Sequence, residues 1–211
     1  MLRSFIYDRL ISNMTAQWYA QVLQRLPEQS RVLDVGVGTG GALVANAVLV
    51  REKKLEIVGI DIDPDYVERA RRHLRDRELE EQAVVELESV YDHRGGPYDA
   101  VYFSASFMLL PDPEAALRRS LSLLHPKGQI YFTQTIQTRR ARWLESLKPM
   151  LKRLTTIDFG RVTYEEDFRA QLRAADLVLE EFTTLNERGS RAYCLAVARP
   201  LKDAGSPEGS G

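Results

Sequence analysis

The feature that most constrains this chain is a glycine-rich turn directly after a short β-branched run. The run ends at Asp34, and Gly36, Gly38 and Gly40 follow at alternate positions. The run is typical of a buried strand, and the glycines allow a sharp turn whose backbone can closely approach a ligand. The apolar, alanine-rich segment 41–50 predicts a helix packed on a sheet. A strand, a glycine turn and a helix in this order predict the nucleotide-binding unit of a doubly wound α/β fold.

The residues around the glycines distinguish between two kinds of ligand. Glycines at positions 36, 38 and 41 satisfy the dinucleotide fingerprint, which is weak evidence on its own. Asp34 places a carboxylate two residues before the first glycine, where a negative charge is unfavourable beside a pyrophosphate and favourable beside a cation. The turn therefore favours a cationic ligand over a nicotinamide dinucleotide. A glycine turn that binds no ligand is the remaining alternative.

A second predicted strand also ends in an acid. The apolar segment 55–61 ends at Asp61, which we expect at the carboxyl end of the strand. A carboxylate at this place can accept hydrogen bonds from both ribose hydroxyls of an adenosine, and Ile62 would then lie against the adenine. Asp63 followed by Pro64 predicts the start of a helix with Asp63 as its N-cap.

These segments resemble the class I, Rossmann-like family of S-adenosylmethionine-dependent methyltransferases. The form Asp-x-Gly-x-Gly-x-Gly at 34–40 resembles the first motif of that family, and Val-Gly-Ile-Asp-Ile-Asp-Pro at 58–64 resembles the second. The stretch 98–128 is similar to its block of fourth strand, helix and fifth strand. The resemblance covers about residues 28–199. It implies that S-adenosylmethionine is the cofactor.

The resemblance also implies which residues bind that cofactor: Asp34, Gly36, Gly38, Gly40, Asp61, Ile62, Ser89, Val90 and Ser104. One position departs from the family pattern. The family usually carries an acid or an amide after the third strand, where it meets the adenine amino group, and this chain has Ser89. A serine hydroxyl can still accept that hydrogen bond. The main chain of Val90 is the alternative contact.

Alternating strand and helix patterns predict the fold. Further strands are predicted at 83–88, 98–104, 128–134, 177–185 and 191–199. Alternation of strands and helices indicates a parallel sheet with right-handed crossovers. The last two strands are separated only by the short segment 186–190, which requires an antiparallel hairpin. We therefore predict an α/β, doubly wound, seven-stranded, mostly parallel sheet with an antiparallel last strand.

The chain divides into three predicted parts: an N-terminal helical lid at 1–26, the cofactor-binding methyltransferase domain at 27–200, and a disordered tail at 201–211. In the first part an apolar residue recurs every four positions, at Ile6, Leu10, Met14 and Trp18. This spacing indicates one apolar helical face. In small-molecule methyltransferases of this class such a helix often lies over the cofactor. An ordinary packing helix is an equally supported alternative.

Two regions supply candidate substrate residues. Tyr7 and Tyr19 lie on the predicted N-terminal helix, and Ser106 follows the fourth strand. Arg139 and Arg140 begin a predicted helix after the fifth strand. Because positive charge is unfavourable at a helix N-terminus, these arginines favour an anionic substrate group such as a carboxylate or a phosphate. Solvated surface arginines are the alternative.

The catalytic residue remains unassigned, with His93 as the one candidate for a general base. It lies in the loop after the third strand, and a solvated loop histidine is the favoured alternative. Alignment and desolvation of the acceptor can supply much of the rate acceleration in methyl transfer. A base is needed only where the acceptor must lose a proton. We predict no metal site.

Composition excludes several classes of partner. A net charge of −1 gives no reason to expect nucleic acid as a partner. The sequence contains no run of about 18 apolar residues, so it does not predict a membrane span. The N-terminus lacks the pattern of a signal peptide, so we expect a cytoplasmic protein, although Arg3 and Arg9 leave a mitochondrial location open. Methylation of a small molecule is the leading function. The alternatives are methylation of a protein or peptide side chain, and binding of S-adenosylmethionine without catalysis.

Overall fold

The structure is a computed structural model that describes residues 2–137 and 163–201, without the side chains of residues 2–13 and 188. Several predictions concern residues outside this range. Arg139 and Arg140 lie outside the described residues, as do the helix predicted after the fifth strand and the predicted disordered tail beyond residue 201. Tyr7 lies in a described helix, but its side chain is outside the description. Predictions for these residues stay predictions.

The described strands form one seven-stranded sheet with the order β3-β2-β1-β4-β5-β7-β6. The strands are β1 Arg31–Val35, β2 Glu56–Asp61, β3 Ala83–Leu87, β4 Tyr98–Ser104, β5 Leu124–Gln137, β6 Leu177–Arg188 and β7 Arg191–Pro200. Neighbouring strands are parallel from β3 to β5, and β7 runs antiparallel to both β5 and β6. The predicted fold class is therefore confirmed, including the antiparallel last strand.

Helices cover both faces of the sheet. They are α1 Leu2–Arg25, α2 Gly41–Ala45, α3 Ala47–Glu52, α4 Pro64–Asp76, α5 Pro113–Leu123 and α6 Glu165–Ala174, with a short 3-10 helix at Phe107–Leu109. Buried apolar side chains of α1 to α4 pack on one face, and those of α5 and α6 pack on the other. Within the described part of the chain, no helix combines the length and apolarity that crossing a bilayer requires.

The helix after the glycine turn is interrupted, so the prediction of one continuous helix at 41–50 was wrong. The break lies at Asn46, between α2 and α3. The side-chain amide of Asn46 donates to the carbonyl of Ala42 at 2.8 Å and to that of Ala16 in α1 at 3.0 Å. An asparagine side chain that bonds to nearby backbone competes with helical hydrogen bonding. The result is a link that holds α1 against the glycine-turn segment.

The bounds of several strands also differ from the prediction. The fifth strand begins at Leu124, which pairs with Tyr98 in β4. It continues to Gln137, which pairs with Arg191 in β7. The predicted loop 186–190 shortens to a turn at Gly189 and Ser190, because the pairing of β6 with β7 continues to Arg188 and Arg191. Gly189 has a φ of 65°, a conformation that favours glycine in tight hairpin turns.

The order of the strands creates a switch point at the carboxyl end of β1. The chain runs outward from β1 to β2 and β3, and then returns to place β4 on the other side of β1. The connections that leave β1 and β4 therefore diverge, and a crevice opens between them. The glycine turn that begins at Gly36 and the loop that begins after Ser104 both lie at this crevice.

The C-terminal part of α1 is anchored to the sheet. Tyr19, Val22 and Leu23 are each at most 1% exposed. Lys53 donates from its ammonium group to the carbonyl oxygens of Leu23 and Gln24, both at 2.9 Å. A cation that binds the last carbonyls of a helix also interacts favourably with its dipole. These contacts fix the end of α1, while its proposed role as a lid stays a prediction.

The start of α4 provides a test of local stability. Asp63 caps this helix by accepting from the backbone N–H groups of Asp65 at 2.9 Å and Tyr66 at 3.2 Å. We expect Asp63→Ala to lower the free energy of unfolding by about 1 kcal/mol, because two N–H groups lose their acceptor. Asp65→Ala, which removes only a charge near the same helix N-terminus, should cost about 0.3 kcal/mol. Urea denaturation measures both, and equal losses would contradict the capping role.

Candidate functional site

The glycine turn has the backbone geometry that its sequence predicts. Gly36, Gly38 and Gly40 all have positive φ, at 76°, 58° and 69°. A Cβ atom built on Gly36 would lie 2.5 Å from the Cβ of Ser106, so only glycine allows this contact. The hydroxyl of Ser106 donates to the carbonyl of Val35. The loop after β4 therefore packs directly against the turn after β1 and closes the floor of the crevice.

Gly38 differs from Gly36 because, apart from Gly38 and its two chain neighbours, no atom of the described residues lies within 4 Å of the position that its Cβ would occupy. This open space belongs to two cavities that share Gly36, Gly38 and Ser104 in their walls. We call them the larger cavity, of about 600 Å³, and the smaller cavity, of about 320 Å³. Their volumes are in the range of ligand sites in proteins.

Asp61 stands in the larger cavity and is oriented by the backbone. Its Oδ2 accepts from the N–H of Gly38 at 2.9 Å, and its Oδ1 accepts from the N–H of Asp63 at 3.0 Å. Each carboxylate oxygen can accept a further hydrogen bond. The carboxylate is therefore held in a fixed orientation with capacity left for two hydroxyl donors, which is what a ribose offers.

The rest of the larger cavity suits an adenine ring. Ile62, Ser89 and Val90 all line it, as the resemblance implied. Ile62 is 76% exposed, and a flat ring in the larger cavity would cover this apolar side chain. The Ser89 hydroxyl accepts from the N–H of Tyr91 only at 3.4 Å and can accept a shorter hydrogen bond from a ligand.

The smaller cavity contains Asp34, whose carboxyl group is completely buried. Its Oδ2 accepts from the hydroxyl of Tyr19 at 2.9 Å. Its Oδ1 is buried and has no hydrogen-bond partner among the described residues. Thr15 of α1 also lines this cavity, so α1 forms part of its wall together with the glycine turn. Tyr19, predicted as a substrate residue, thus directly contacts a predicted cofactor residue.

Burial changes the ionisation of Asp34. Removal from water raises the pKa of Asp34 from 3.8 to about 7, the hydrogen bond from Tyr19 opposes that rise, and the charge of Asp61 adds to it. A cation beside the carboxyl group would favour its ionised form and lower this pKa. Among the described residues, no lysine or arginine lines the smaller cavity to supply such a charge.

These features together fit S-adenosylmethionine. The buried Oδ1 of Asp34, which has no partner among the described residues, fits an ammonium group. The oriented carboxylate of Asp61 fits a ribose, and the space beside Gly38 fits a ligand that connects them. Every residue that the resemblance implies for the cofactor, except Gly40, lines a cavity. The Cβ position of Gly40 lies 3.2 Å from the Cβ of Ala70, so Gly40 instead allows α4 to pack closely on the turn.

His93 does not line either cavity. It is 4% exposed, and its ring nitrogens contact a carboxylate oxygen of Glu88 and, at 2.8 Å, the hydroxyl of Tyr98. Glu86, Glu88 and His93 bring potential ligand atoms within 4.8 Å of one another. Because both ring nitrogens already have partners, we assign neither a catalytic base nor a metal site to this cluster. The structure therefore gives His93 a buried, hydrogen-bonded position, not that of a solvated loop residue.

Sequence reasoning missed two groups of cavity residues. Tyr66, on α4, and Leu109, in the 3-10 helix, form exposed apolar parts of the larger cavity, with exposed fractions of 45% and 64%. Tyr91 also lines it, and its hydroxyl donates to the carbonyl of Asp112 at 3.0 Å and accepts from the N–H of Asp112 at 3.1 Å. This pair joins the loops after β3 and β4. An aromatic residue in the first turn of the predicted helix was the available sequence signal for Tyr66. The sequence gives no signal for the contact between Tyr91 and Asp112.

The ionisation of Asp34 predicts how stability depends on pH. The pKa of Asp34 is about 7 in the folded protein, against an ordinary value of 3.8 that applies to the unfolded chain. Without a ligand, the protein therefore loses stability as pH rises from about 4 to about 7. Asp34→Asn removes this penalty, and we expect a gain on the order of 2–4 kcal/mol at pH 8 that shrinks toward pH 5. Urea unfolding at both pH values measures it. A variant less stable than the wild type at pH 8 would show that the buried carboxylate is stabilised in some other way.

The open space at Gly38 predicts a selective loss of ligand binding. Gly38→Ala places a methyl group in the shared part of the two cavities, and we expect affinity for S-adenosylmethionine to fall at least tenfold, about 1.4 kcal/mol or more. Gly189→Ala is a matched control, because Gly189 also has a positive φ and open space around its Cβ position. Both variants should lose about 1–2 kcal/mol of stability from backbone strain. Calorimetric titration should find binding weakened only in Gly38→Ala.

Comparison with curated proteins finds methyltransferases. Aklanonic acid methyltransferase DauC from Streptomyces sp. (strain C5) is 32% identical over 142 residues, which are 63% of this chain and 61% of that protein. The ubiquinone biosynthesis O-methyltransferase from Xanthomonas axonopodis pv. citri (strain 306) is 31% identical over 116 residues, which are 54% of this chain and 47% of that protein. The chain thus spans about half to three-fifths of the length of these relatives.

Solved structures share the fold at low sequence identity. A putative sarcosine dimethylglycine methyltransferase from Galdieria sulphuraria has a TM-score of 0.70 at 18% identity, over 90% of this chain and 87% of that one. The [4+2]-cyclase SpnF has a TM-score of 0.72 at 19% identity, over 88% of this chain and 81% of that one. The same architecture therefore supports more than one chemistry, and these likenesses establish the fold alone.

The family itself follows from a match to a domain model. The model described as a methyltransferase domain matches residues 7–181, which include the glycine turn, Asp61, the residues after β3 and β4, and α1 beyond its first turns. The match spans most of the chain and agrees with the strand order and with the two cavities at the switch point. The chain belongs to the class I S-adenosylmethionine-dependent methyltransferase family.

Proposed function

We propose that this protein transfers a methyl group from S-adenosylmethionine to a small-molecule acceptor. The observation that carries the proposal is the junction of the two cavities at Gly36, Gly38 and Ser104. A ligand that reaches from Asp61 in the larger cavity to Asp34 in the smaller one passes this junction. An acceptor would meet the cofactor there, beside Ser104.

The residues of the site act by binding and alignment. When bound, the cofactor supplies an electrophilic methyl group on a positively charged sulfur. Asp61 would hold the ribose, Asp34 would pair with the ammonium group, and Ser106 packs beneath the turn and keeps the junction rigid. The wall that α1 contributes through Thr15 and Tyr19 would exclude water from the acceptor. Alignment and desolvation of this kind supply much of the acceleration of a bimolecular transfer.

Cavity size and the curated relatives support a small acceptor. The smaller cavity, of about 320 Å³, must also receive part of the cofactor, which leaves limited room for an acceptor. Relatives carry names that refer to aklanonic acid and to ubiquinone biosynthesis, both small-molecule chemistries. An anionic acceptor, favoured by Arg139 and Arg140, and a cytoplasmic location belong to this proposal and rest on the sequence alone.

A labelling experiment distinguishes the proposed function from its alternatives. The protein is incubated with S-adenosylmethionine carrying a labelled methyl group and with the small-molecule fraction or the protein fraction of a cell extract. We expect label in a small-molecule product together with release of S-adenosylhomocysteine. Label in the protein fraction would support a protein or peptide acceptor. Binding of the cofactor without transfer to either fraction would support a non-catalytic binding protein.

An Asp61 variant provides the control for this experiment. Asp61→Asn keeps the shape of the side chain but weakens its hydrogen bonds to ribose, so we expect transfer to fall by roughly tenfold or more. Asp65→Asn is the matched variant, since Asp65 is an exposed acid outside both cavities. It should transfer label at the wild-type rate. Equal transfer by all three proteins would indicate a contaminating activity.

A further inference from the structure

We infer that Tyr19 is a positioning residue for the aminoacyl end of the cofactor. Its phenol holds one oxygen of Asp34 and leaves the other oxygen to receive the ammonium group of S-adenosylmethionine. The inference assigns to the N-terminal helix a direct part in cofactor recognition. It depends on the cofactor of the family and is independent of the acceptor.

The two oxygens of Asp34 have different surroundings. Oδ2 accepts from the Tyr19 hydroxyl at 2.9 Å, whereas Oδ1 is buried without a partner among the described residues. A buried polar atom without a hydrogen bond is costly, and such atoms in proteins usually have a partner. Asp34 and Tyr19 both line the smaller cavity, so a ligand in that cavity is the available partner.

The charge of that partner follows from the carboxylate. Among the described residues, no lysine or arginine lines the smaller cavity to neutralise Asp34. S-adenosylmethionine carries two positive centres, but only its ammonium group can donate hydrogen bonds. Since the larger cavity contains the Asp61 carboxylate and the adenine-binding surface, the amino-acid end is the part of the cofactor that extends to Asp34. A charge-assisted hydrogen bond to Oδ1 would satisfy both groups.

Packing holds the Tyr19 phenol in place. The side chain is 1% exposed, and its ring meets the ring of Tyr102 edge-on at 5.2 Å. The hydroxyl of Tyr102 is bonded to Thr133 at 2.7 Å and not to Asp34. Burial raises the pKa of Tyr19 well above its usual value, so the phenol keeps its proton and remains a donor. Tyr19 is therefore a fixed, neutral hydrogen-bond donor to the carboxylate.

The titratable groups around Asp34 predict how Tyr19 affects cofactor binding. They come from three elements: Tyr19 on α1, Tyr102 on β4 and Asp61 on β2. Burial and the charge of Asp61 raise the pKa of Asp34, and the hydrogen bond from Tyr19 lowers it. Without the Tyr19 hydroxyl, this pKa moves higher, and a smaller fraction of Asp34 is ionised at neutral pH. The loss of affinity for a cation is then greatest at low pH.

The test compares Tyr19→Phe with the wild type by calorimetric titration between about pH 6 and pH 8.5. The ratio of the two dissociation constants for S-adenosylmethionine cancels the titration of the ligand itself. The expected ratio follows from the fraction of Asp34 that is ionised, with a pKa of about 7 in the wild type and a rise of about one unit in Tyr19→Phe. It should be about ninefold at pH 6, about fivefold at pH 7, and below twofold at pH 8.5. A purely structural defect would weaken binding by the same factor at every pH.

A second ligand and a second variant complete the test. Methylthioadenosine contains the adenosine and the sulfur but no amino-acid end, so Tyr19→Phe should bind it as the wild type does. Tyr102→Phe is the matched variant, because it removes a buried phenol hydroxyl on the same face that does not contact Asp34. It should show a ratio close to one for both ligands.

Each other outcome contradicts a defined statement. A ratio for Tyr19→Phe that does not change with pH, or an equal loss for methylthioadenosine, would overturn the role of Tyr19 and leave the cofactor assignment intact. If the wild type binds neither ligand, both the cofactor assignment and this inference fail. The carboxyl ¹³C shift of Asp34 in the empty proteins measures its pKa directly. An unchanged pKa in Tyr19→Phe would also overturn the inference.

Discussion

The site depends on a carboxyl group that is buried at the end of the central strand. Asp34 lies on β1 between β2 and β4, and its side chain has no exposure to solvent. Burying a carboxylate is costly unless hydrogen bonds or an opposite charge compensate. Tyr19 supplies one hydrogen bond to this carboxyl group, and its Oδ1 has no partner among the described residues. Under the proposed assignment, the ammonium group of the cofactor offsets the cost of burying this carboxylate, a common relation between stability and function.

Two backbone features convert this single group into an ordered site. The contact between Gly36 and Ser106 brings the ends of β1 and β4 together, so both cavities share one rigid wall. The N–H groups of Gly38 and Asp63 fix the two oxygens of Asp61 before any ligand arrives. Groups that are already oriented lose little entropy on binding. The turn therefore both leaves space for a ligand and holds the Asp61 carboxylate in a fixed orientation.

The sequence predicted those parts of the molecule that depend on local pattern. Strand and helix patterns and the short final loop predicted the seven-stranded sheet and its antiparallel last strand, and the glycine turn, the Asp61 segment and the 98–128 block together predicted the family. Asp63 followed by Pro64 likewise predicted a capped helix, as observed. Each of these signals involves residues that are neighbours in the chain, where backbone preference and side-chain spacing decide the outcome.

Contacts between distant segments could not be predicted in this way. The break at Asn46 depends on a carbonyl of α1, and the burial of His93 depends on Glu88 and Tyr98. Tyr19 illustrates the same limit, because its pattern indicated a ligand contact on a helix, while only the folded chain places it against Asp34. A hydrogen bond between positions far apart in sequence leaves no periodic signal, and it forms only when packing brings the two groups together.

The acids of the two cavities have a consequence for product release. Asp34, Asp61, Asp63 and Glu88 line the cavities, and no basic residue in the described part of the chain does so. The sulfur of the cofactor is positively charged before transfer and neutral afterwards, so the attraction between these acids and the cofactor weakens when the methyl group leaves. Under the proposed function, the electrostatic attraction of these carboxylates is therefore stronger for the methyl-donating form of the cofactor than for its product.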